Sequence, residues 1–286
     1  MTARSASRSR WSLRPGRIQR IVIVLLLLLG LAIVFFPYLW IVSTAFKRPV
    51  DAAAIPPKIF APIVLSNFQH LFAGQFSSSV QASVIITFLG TVPTLLIGVP
   101  AGYALSRGAK FRTRRLLGGW MLFSRMVPGV VFILPMYLFF HQLSLINTYP
   151  GLMLAYMAGL LPFTIWLMAG YFSDIPIELE EAARVDGCSR FQAFIRVDLP
   201  LALPGIVTVG LLVAIGAWNE YFGALILGGP STTPATVGIA SFVGEGTQDW
   251  GQLAAATMIL ILPILVLTLF SQRGLLRGLT AGAIKG

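Results

Sequence analysis

The chain has 286 residues, of which 56% are hydrophobic and only 11% charged, with a mean hydropathy of +0.83. A water-soluble domain needs about 25% charged residues to cover its surface, so this composition excludes one and places the chain in a membrane. The remaining charge is lopsided: 21 Lys and Arg stand against 10 Asp and Glu, a formal +11. In a membrane protein that balance points to basic cytoplasmic loops rather than to nucleic acid. A single cysteine, Cys188, excludes an internal disulfide framework and a cysteine-cluster metal site. His70 and His141 form no HExxH pattern, and neither a GxxxxGK[ST] phosphate loop nor GxGxxG occurs, so no metal or nucleotide site is expected. Two isolated histidines build no Ser-His-Asp constellation, and an enzyme is the weak hypothesis.

A membrane-crossing helix needs about 20 mainly apolar residues. Six stretches qualify: 21–46, 80–105, 116–140, 151–172, 204–227 and 251–271. The first follows a basic start, as a secretory signal would, but its apolar run far exceeds a signal core of about 7–15 residues, and it reads as an uncleaved span. The third contains Arg125 and the fifth Glu220; the other four carry no charge. The expected fold is an all-α membrane protein of six transmembrane helices. Pro93, Pro100, Pro128, Pro135, Pro162 and Pro263 fall inside these spans, where each frees a backbone carbonyl that a neighbour or water must satisfy. Gly98 and Gly102 form GxxxG, which reads as close helix packing.

Charge sets the orientation. The N-terminal 20 residues hold six Arg; the connections after the second and fourth spans and the tail bring the basic residues on that side to 17. The other side has Lys47, Arg48 and Lys58. The positive-inside rule then puts both termini in the cytoplasm, and arginines beside a first span also attract anionic membrane lipid. Residues 1–20 are thus a basic cytoplasmic segment and 21–286 the transmembrane domain, with a cytoplasmic tail at 272–286. Outside, 65–72 reads as a short amphipathic helix, with Ser66 or Asn67 in capping position. The last outer loop, 228–250, is rich in Gly, Thr and Pro and is expected to be irregular.

The cytoplasmic stretch 173–203 differs from the rest, holding six of the ten acidic residues: Asp174, Glu178, Glu180, Glu181, Asp186 and Asp198. Its spacing predicts two short helices. The first starts at Pro176, with acidic residues beside the positive end of the helix dipole, and stops at Asp186-Gly187. The second opens with Ser189 and Gln192 at capping-box spacing, presents Phe191, Phe194 and Ile195, and ends at Pro200. On spacing alone this elbow is either a solvated surface or a protein-docking element, with Ala182 and Ala183 leaving room for a close approach.

Glu181-Ala182-Ala183, Asp186-Gly187 and Leu199-Pro200, in that order and spacing, resemble the EAA signature of ABC importer permeases. The flanks 175–180 and 191–204 resemble the maltose-type carbohydrate permeases, as do the Tyr103-Ala104-Leu105-Ser106-Arg107 string, the Trp218-Asn219-Glu220-Tyr221 string and the terminal residues 278–286. Val197 stands where the signature often has isoleucine. The resemblance implies the type I ABC importer permease fold in a bacterial inner membrane. It implies a second homologous permease subunit, a dimeric cytoplasmic ATPase that binds the ATP and Mg this chain does not, and an extracytoplasmic solute-binding protein. Glu181, Ala182, Ala183, Asp186 and Gly187 would then seat in the ATPase and drive alternating access for a sugar or related polyol. The outer loop at Gly229, Pro230 and Ser231 would contact the binding protein. The competing reading, a stand-alone transporter driven by an ion gradient, leaves the acidic elbow unexplained.

Polar residues inside the spans either line the pathway, tie helices together or, for Arg125, snorkel toward the cytoplasmic headgroups. An arginine at mid-membrane costs about 2.5–3.5 kcal/mol on insertion scales, so Arg125 should face water or protein. In a straight third span it would lie about 13 Å deep. Glu220 is similar, and a pairing with Arg125 is open. Asn219 and Trp218 offer hydrogen bonding and stacking to a solute, although a tryptophan at a span's outer end also marks the interface.

Overall fold

The computed structural model describes residues 17–243 and 249–283, with side chains for 18–110, 112–243 and 249–269. The helices, in chain order, are α1 (Arg17–Ala45), α2 (Pro49–Ala52), α3 (Ser66–Ala73), α4 (Phe76–Arg107), α5 (Phe111–Met126), α6 (Val130–Gln142) and α7 (Tyr149–Asp174). They continue with α8 (Ile177–Val185), α9 (Arg190–Ala193), a π-turn (Phe194–Asp198), α10 (Leu199–Trp218), α11 (Phe222–Leu227), α12 (Ala235–Gly238), a 3-10 turn (Ile239–Phe242) and α13 (Trp250–Ala283). Five helices are long and apolar enough to cross a membrane, and the bent pair α5 and α6 brings the number to six when counted as one span. The fold class expected from the apolar stretches is therefore the one observed. The basic segment before Arg17 lies outside the described residues, as do 284–286, and α13 carries the chain on as helix to Ala283.

The third span is not straight. Its halves meet at 94°, and the reason is local. Val127 precedes Pro128, which disfavours helical backbone, and it is extended at φ −79°, ψ 123°. Pro128 has no N–H to continue the ladder, and α6 starts afresh beyond Gly129. Arg125 therefore sits at the end of α5 beside a corner, and the depth expected of a straight helix does not apply.

The core lies between α4, α7 and α10, around Ile86, Leu152, Met168, Phe172, Val209 and Val213. GxxxG makes this approach close. A Cβ on Gly98 would fall 2.5 Å from the Thr164 methyl, and one on Gly102 would fall 2.6 Å from Met168 Cβ. Two threonines in these helices turn back on their own backbone, Thr94 Oγ1 donating to Gly90 O and Thr164 Oγ1 to Leu160 O, whereas the buried Thr91 hydroxyl on α4 has no hydrogen-bond partner. A second cluster joins α1, α3 and α13 through Ala45, Leu71 and Ala255. Most of α1 is exposed, with Leu25–Leu29 and Phe35–Phe36 more than half so.

The outer face is knitted by polar contacts. Asn67 does not cap α3; it is buried, and its Nδ2 donates to Ala45 O and Lys47 O at 2.8 and 2.9 Å. Asp51 is buried between Arg48 (2.8 Å) and Lys58 (2.6 Å), so two of the three outer basic residues share one carboxylate. Lys47 Nζ donates to Lys58 O and lies 4.5 Å from the Trp40 ring centre.

Candidate functional site

The elbow forms as two helices around a glycine. α8 begins after Pro176, with Glu178 and Glu180 in its first turn and Arg184 in its last, each favourable with the helix dipole. Gly187 has φ +93°, the left-handed region, and nothing lies within 4 Å of where its Cβ would be. Backbone geometry, not crowding, demands glycine here. Ser189 and Gln192 form the expected capping box, Ser189 Oγ accepting from Gln192 N at 3.2 Å and Gln192 Oε1 from Ser189 N at 2.8 Å.

Pro200 does not end the second helix. The chain runs helically from Arg190 to Trp218. The π-turn closes with Leu199 N–H donating to Phe194 O, five residues back, so the ladder is already widened where Pro200 supplies no N–H. The same turn carries Asp198, which is fully buried. The expected apolar face splits: Phe194 is buried, whereas Phe191 and Ile195 stay exposed.

The elbow has an inner and an outer side. Glu180 faces inward, buried, where its Oε1 accepts from Tyr103 Oη at 3.0 Å and its Oε2 lies 3.4 Å from Arg107 Nε. Arg107 also reaches Asp198 Oδ1 at 3.3 Å and Ile175 O at 2.9 Å. Glu181, Ala182, Asp186 and Gly187 face out, with Ala183 half-buried. Leu179, Val185 and Phe191 add exposed apolar area to the outer side. The EAA resemblance singled out Glu181, and the sequence reading named Glu180, Asp198, Tyr103 and Arg107 without this role. Three acidic residues crowd one short helix, and sequence alone does not say which points inward.

The polar span residues do not converge. The Arg125 guanidinium lies over the Phe163 ring at 4.3 Å, a cation–π contact. Glu220 Oε1 accepts from Gly223 N at 2.5 Å, capping the start of α11, and Glu220 O accepts from Thr236 Oγ1 at 3.0 Å. Among the described residues no ion pair joins Arg125 to Glu220. Asn219 is exposed, its Nδ2 donating to Ile215 O at the end of α10. Trp218 is buried, and its Nε1 donates to Leu260 O at 3.1 Å, tying α10 to α13. Its ring is packed inside this subunit.

As far as Val243 the outer loop is a braced turn followed by short helical turns rather than the expected irregular chain, and 244–248 lie outside the described residues. Thr232 N donates to Gly229 O (2.9 Å) and Gly229 N to Thr232 Oγ1 (3.2 Å). Asn147 Oδ1 accepts from Ser231 Oγ (2.8 Å) and Thr232 Oγ1 (3.1 Å), pinning the turn to the α6–α7 connection. A Cβ on Gly229 would lie 2.6 Å from the Asn147 side chain.

No cluster of His, Cys, Asp and Glu suited to a metal occurs among the described residues. The pattern of the binding-protein-dependent transport system inner membrane component family matches residues 95–280. The chain belongs to this family. It is the permease subunit of an ABC importer, whose architecture includes a permease pair, an ATPase and a periplasmic binding protein, with the ATP handled by the separate ATPase. The permease is 37% identical over 87% of its length to the trehalose transport system permease protein SugB of Mycobacterium tuberculosis, covering 92% of that protein. It is 33% identical over 96% of its length to the trehalose/maltose transport system permease protein MalG of Thermococcus litoralis, covering all of that protein. Among solved structures it resembles a chain of a bacterial ABC transporter that imports the acidic polysaccharide alginate. That likeness has a TM-score of 0.77 and 26% identity, and covers 95% of this chain and 99% of that one. The permease's alternating-access role is coupled to a partner ATPase, and nothing supports an ion-driven stand-alone transporter.

Proposed function

We propose that this permease carries a sugar or related polyol into the cytoplasm, paired with a second, homologous permease, with both termini inside. The relatives named for trehalose, maltose and alginate support the solute class, since all three are carbohydrates. The basic residues gathered on one side support the orientation. ATPase docking falls to the outer side of the elbow, through Glu181, Ala182, Ala183, Asp186 and Gly187. The observation that carries this reading is the exposure of Glu181 one turn from exposed Val185 on a helix whose inner side is held. A carboxylate rimmed by apolar area suits a cleft with a basic or amide group at its base. Arg125, Trp218, Asn219 and Glu220 are assigned to the solute pathway, and Gly229, Pro230 and Ser231 to binding-protein contact. The test is a thermal-shift screen of the cognate binding protein against mono- and disaccharides and polyols, followed by uptake of the hit into proteoliposomes holding the full complex. Binding of amino acids or inorganic ions alone, with no uptake of any carbohydrate or polyol, would reject the solute class.

A further inference from the structure

Tyr103 and Arg107 lie one helical turn apart at the cytoplasmic end of α4, so their side chains leave the same face. Between them they hold three segments. Arg107 donates to the carbonyl of Ile175, where α7 closes; it pairs with Glu180 on α8 and with Asp198 on the π-turn that leads into α10. Tyr103 adds its hydroxyl to Glu180, and its ring packs 4.5 Å from Phe194 and 5.6 Å from Phe172. Glu180 and Asp198 are buried, and the Arg107 side chain is only 12% exposed. Glu180 Oε2 and Asp198 Oδ2 have no hydrogen-bond partner, so Arg107 is the cation both carboxylates face.

The outer end of the same helix is tied as well. Ser83 Oγ accepts from Ala235 N at 2.8 Å, a Cβ on Gly238 would touch Ser79, and Phe76 packs on Phe242 at 5.7 Å. At 32 residues, α4 spans about 48 Å. It therefore joins the elbow to the segment that follows the outer turn. We propose that Arg107 is a positioning residue for coupling: it fastens the elbow to α4, so that elbow movement reaches 235–242 through one helix. This rests on the elbow being the ATPase-docking element. Without Arg107 the elbow is free to shift under the ATPase while α4 stays behind.

The test must separate fastening from charge neutralisation, because Arg107→Met alone leaves two carboxylates buried without a cation. The triple variant Arg107→Met/Glu180→Gln/Asp198→Asn removes all three charges at nearly constant volume. It is prepared with its partner permease, ATPase and ligand-loaded binding protein in proteoliposomes. The ATPase should co-purify, and basal hydrolysis should persist, because the outer side of the elbow is untouched. Stimulation by the binding protein should fall by about fivefold or more, the lower range of a site-to-site coupling. Wild-type stimulation in the triple variant would overturn the proposal and leave Arg107 a charge-balancing role only. Should the triple variant fail to assemble, Tyr103→Phe, which removes one hydroxyl and no charge, decides: reduced stimulation supports fastening, and unchanged stimulation overturns it. Normal ATPase co-purification in Glu181→Lys would instead remove the docking assignment, an outcome distinct from either.

Discussion

Glu180 and Glu181 are consecutive residues that serve opposite sides of one helix: Glu180 is buried against Tyr103 and Arg107, and Glu181 is exposed. Their substitutions should therefore fail differently. Glu181→Lys leaves the interior intact and reverses the charge offered to the ATPase. A charge-assisted hydrogen bond contributes about 1.5–3 kcal/mol, so ATPase affinity should drop about tenfold to a hundredfold. Glu180→Ala leaves Arg107 paired with Asp198 but takes the acceptor from the Tyr103 hydroxyl, and should lower stability by about 1–3 kcal/mol, the scale of a buried donor left unpaired. ATPase pull-down and thermal unfolding in detergent measure the two effects. Equal unfolding temperatures for both variants would refute the division of roles.

Gly187 gives a second prediction. Its φ of +93° costs a residue with a Cβ about 1–2 kcal/mol, and more for a β-branched one. The site is otherwise open, so Gly187→Asn, which tolerates left-handed backbone, should retain much of the import that Gly187→Val loses. Both should reach the membrane in normal amounts. Equal import by the two variants would show that the turn does not set the elbow's geometry.

The six apolar stretches, the GxxxG contact, the capping box and the glycine break were legible in the sequence, because each depends on neighbours a few positions away. What the sequence concealed depends on residues far along the chain. Val127-Pro128-Gly129 marks a break, but the local pattern does not give its angle of 94°. Pro200 reads as a stop until the π-turn before it removes the conflict. Trp218 ties to Leu260, 42 residues later, and nothing near it in the sequence marks that contact. Glu180 pairs with Tyr103, 77 positions away, and no local pattern announces that.

Topology is tested by labelling. In a Cys188→Ser background, a cysteine at Ser231 and one at Thr113 are both on exposed positions. With both termini inside, an impermeant maleimide should label Ser231→Cys in intact cells and reach Thr113→Cys only after permeabilisation. The reverse pattern would invert the orientation drawn from the 17 basic residues.

The outer turn is held by Asn147, so loosening it does not require altering the turn. Asn147→Ala removes the acceptor shared by Ser231 and Thr232. If binding-protein contact depends on the turn's shape, import should fall several-fold while basal ATPase activity is kept. Replacing Gly229-Pro230-Ser231 with a rigid helical stretch should do the same more severely. Wild-type uptake in both would separate the turn from binding-protein function.

Asp51 makes the outer face sensitive to acid, and the sign follows from its partners. The hydrogen bond from Lys58 first, and that from Arg48 next, hold its carboxyl below the ordinary value of 3.8. The folded protein thus binds the proton more weakly than the unfolded chain does. The carboxylate's contribution is present in full above the unfolded value and is lost as pH falls through the lower folded one. Asp51→Asn removes this dependence. The variant should be less stable than wild type at pH 7, and the gap should close on acidification below about pH 4. Unfolding temperatures of the two proteins in detergent between pH 3 and pH 7, measured at low and high salt, check this prediction. Parallel curves across that range would mean that the Lys58 and Arg48 contacts add nothing to the folded state.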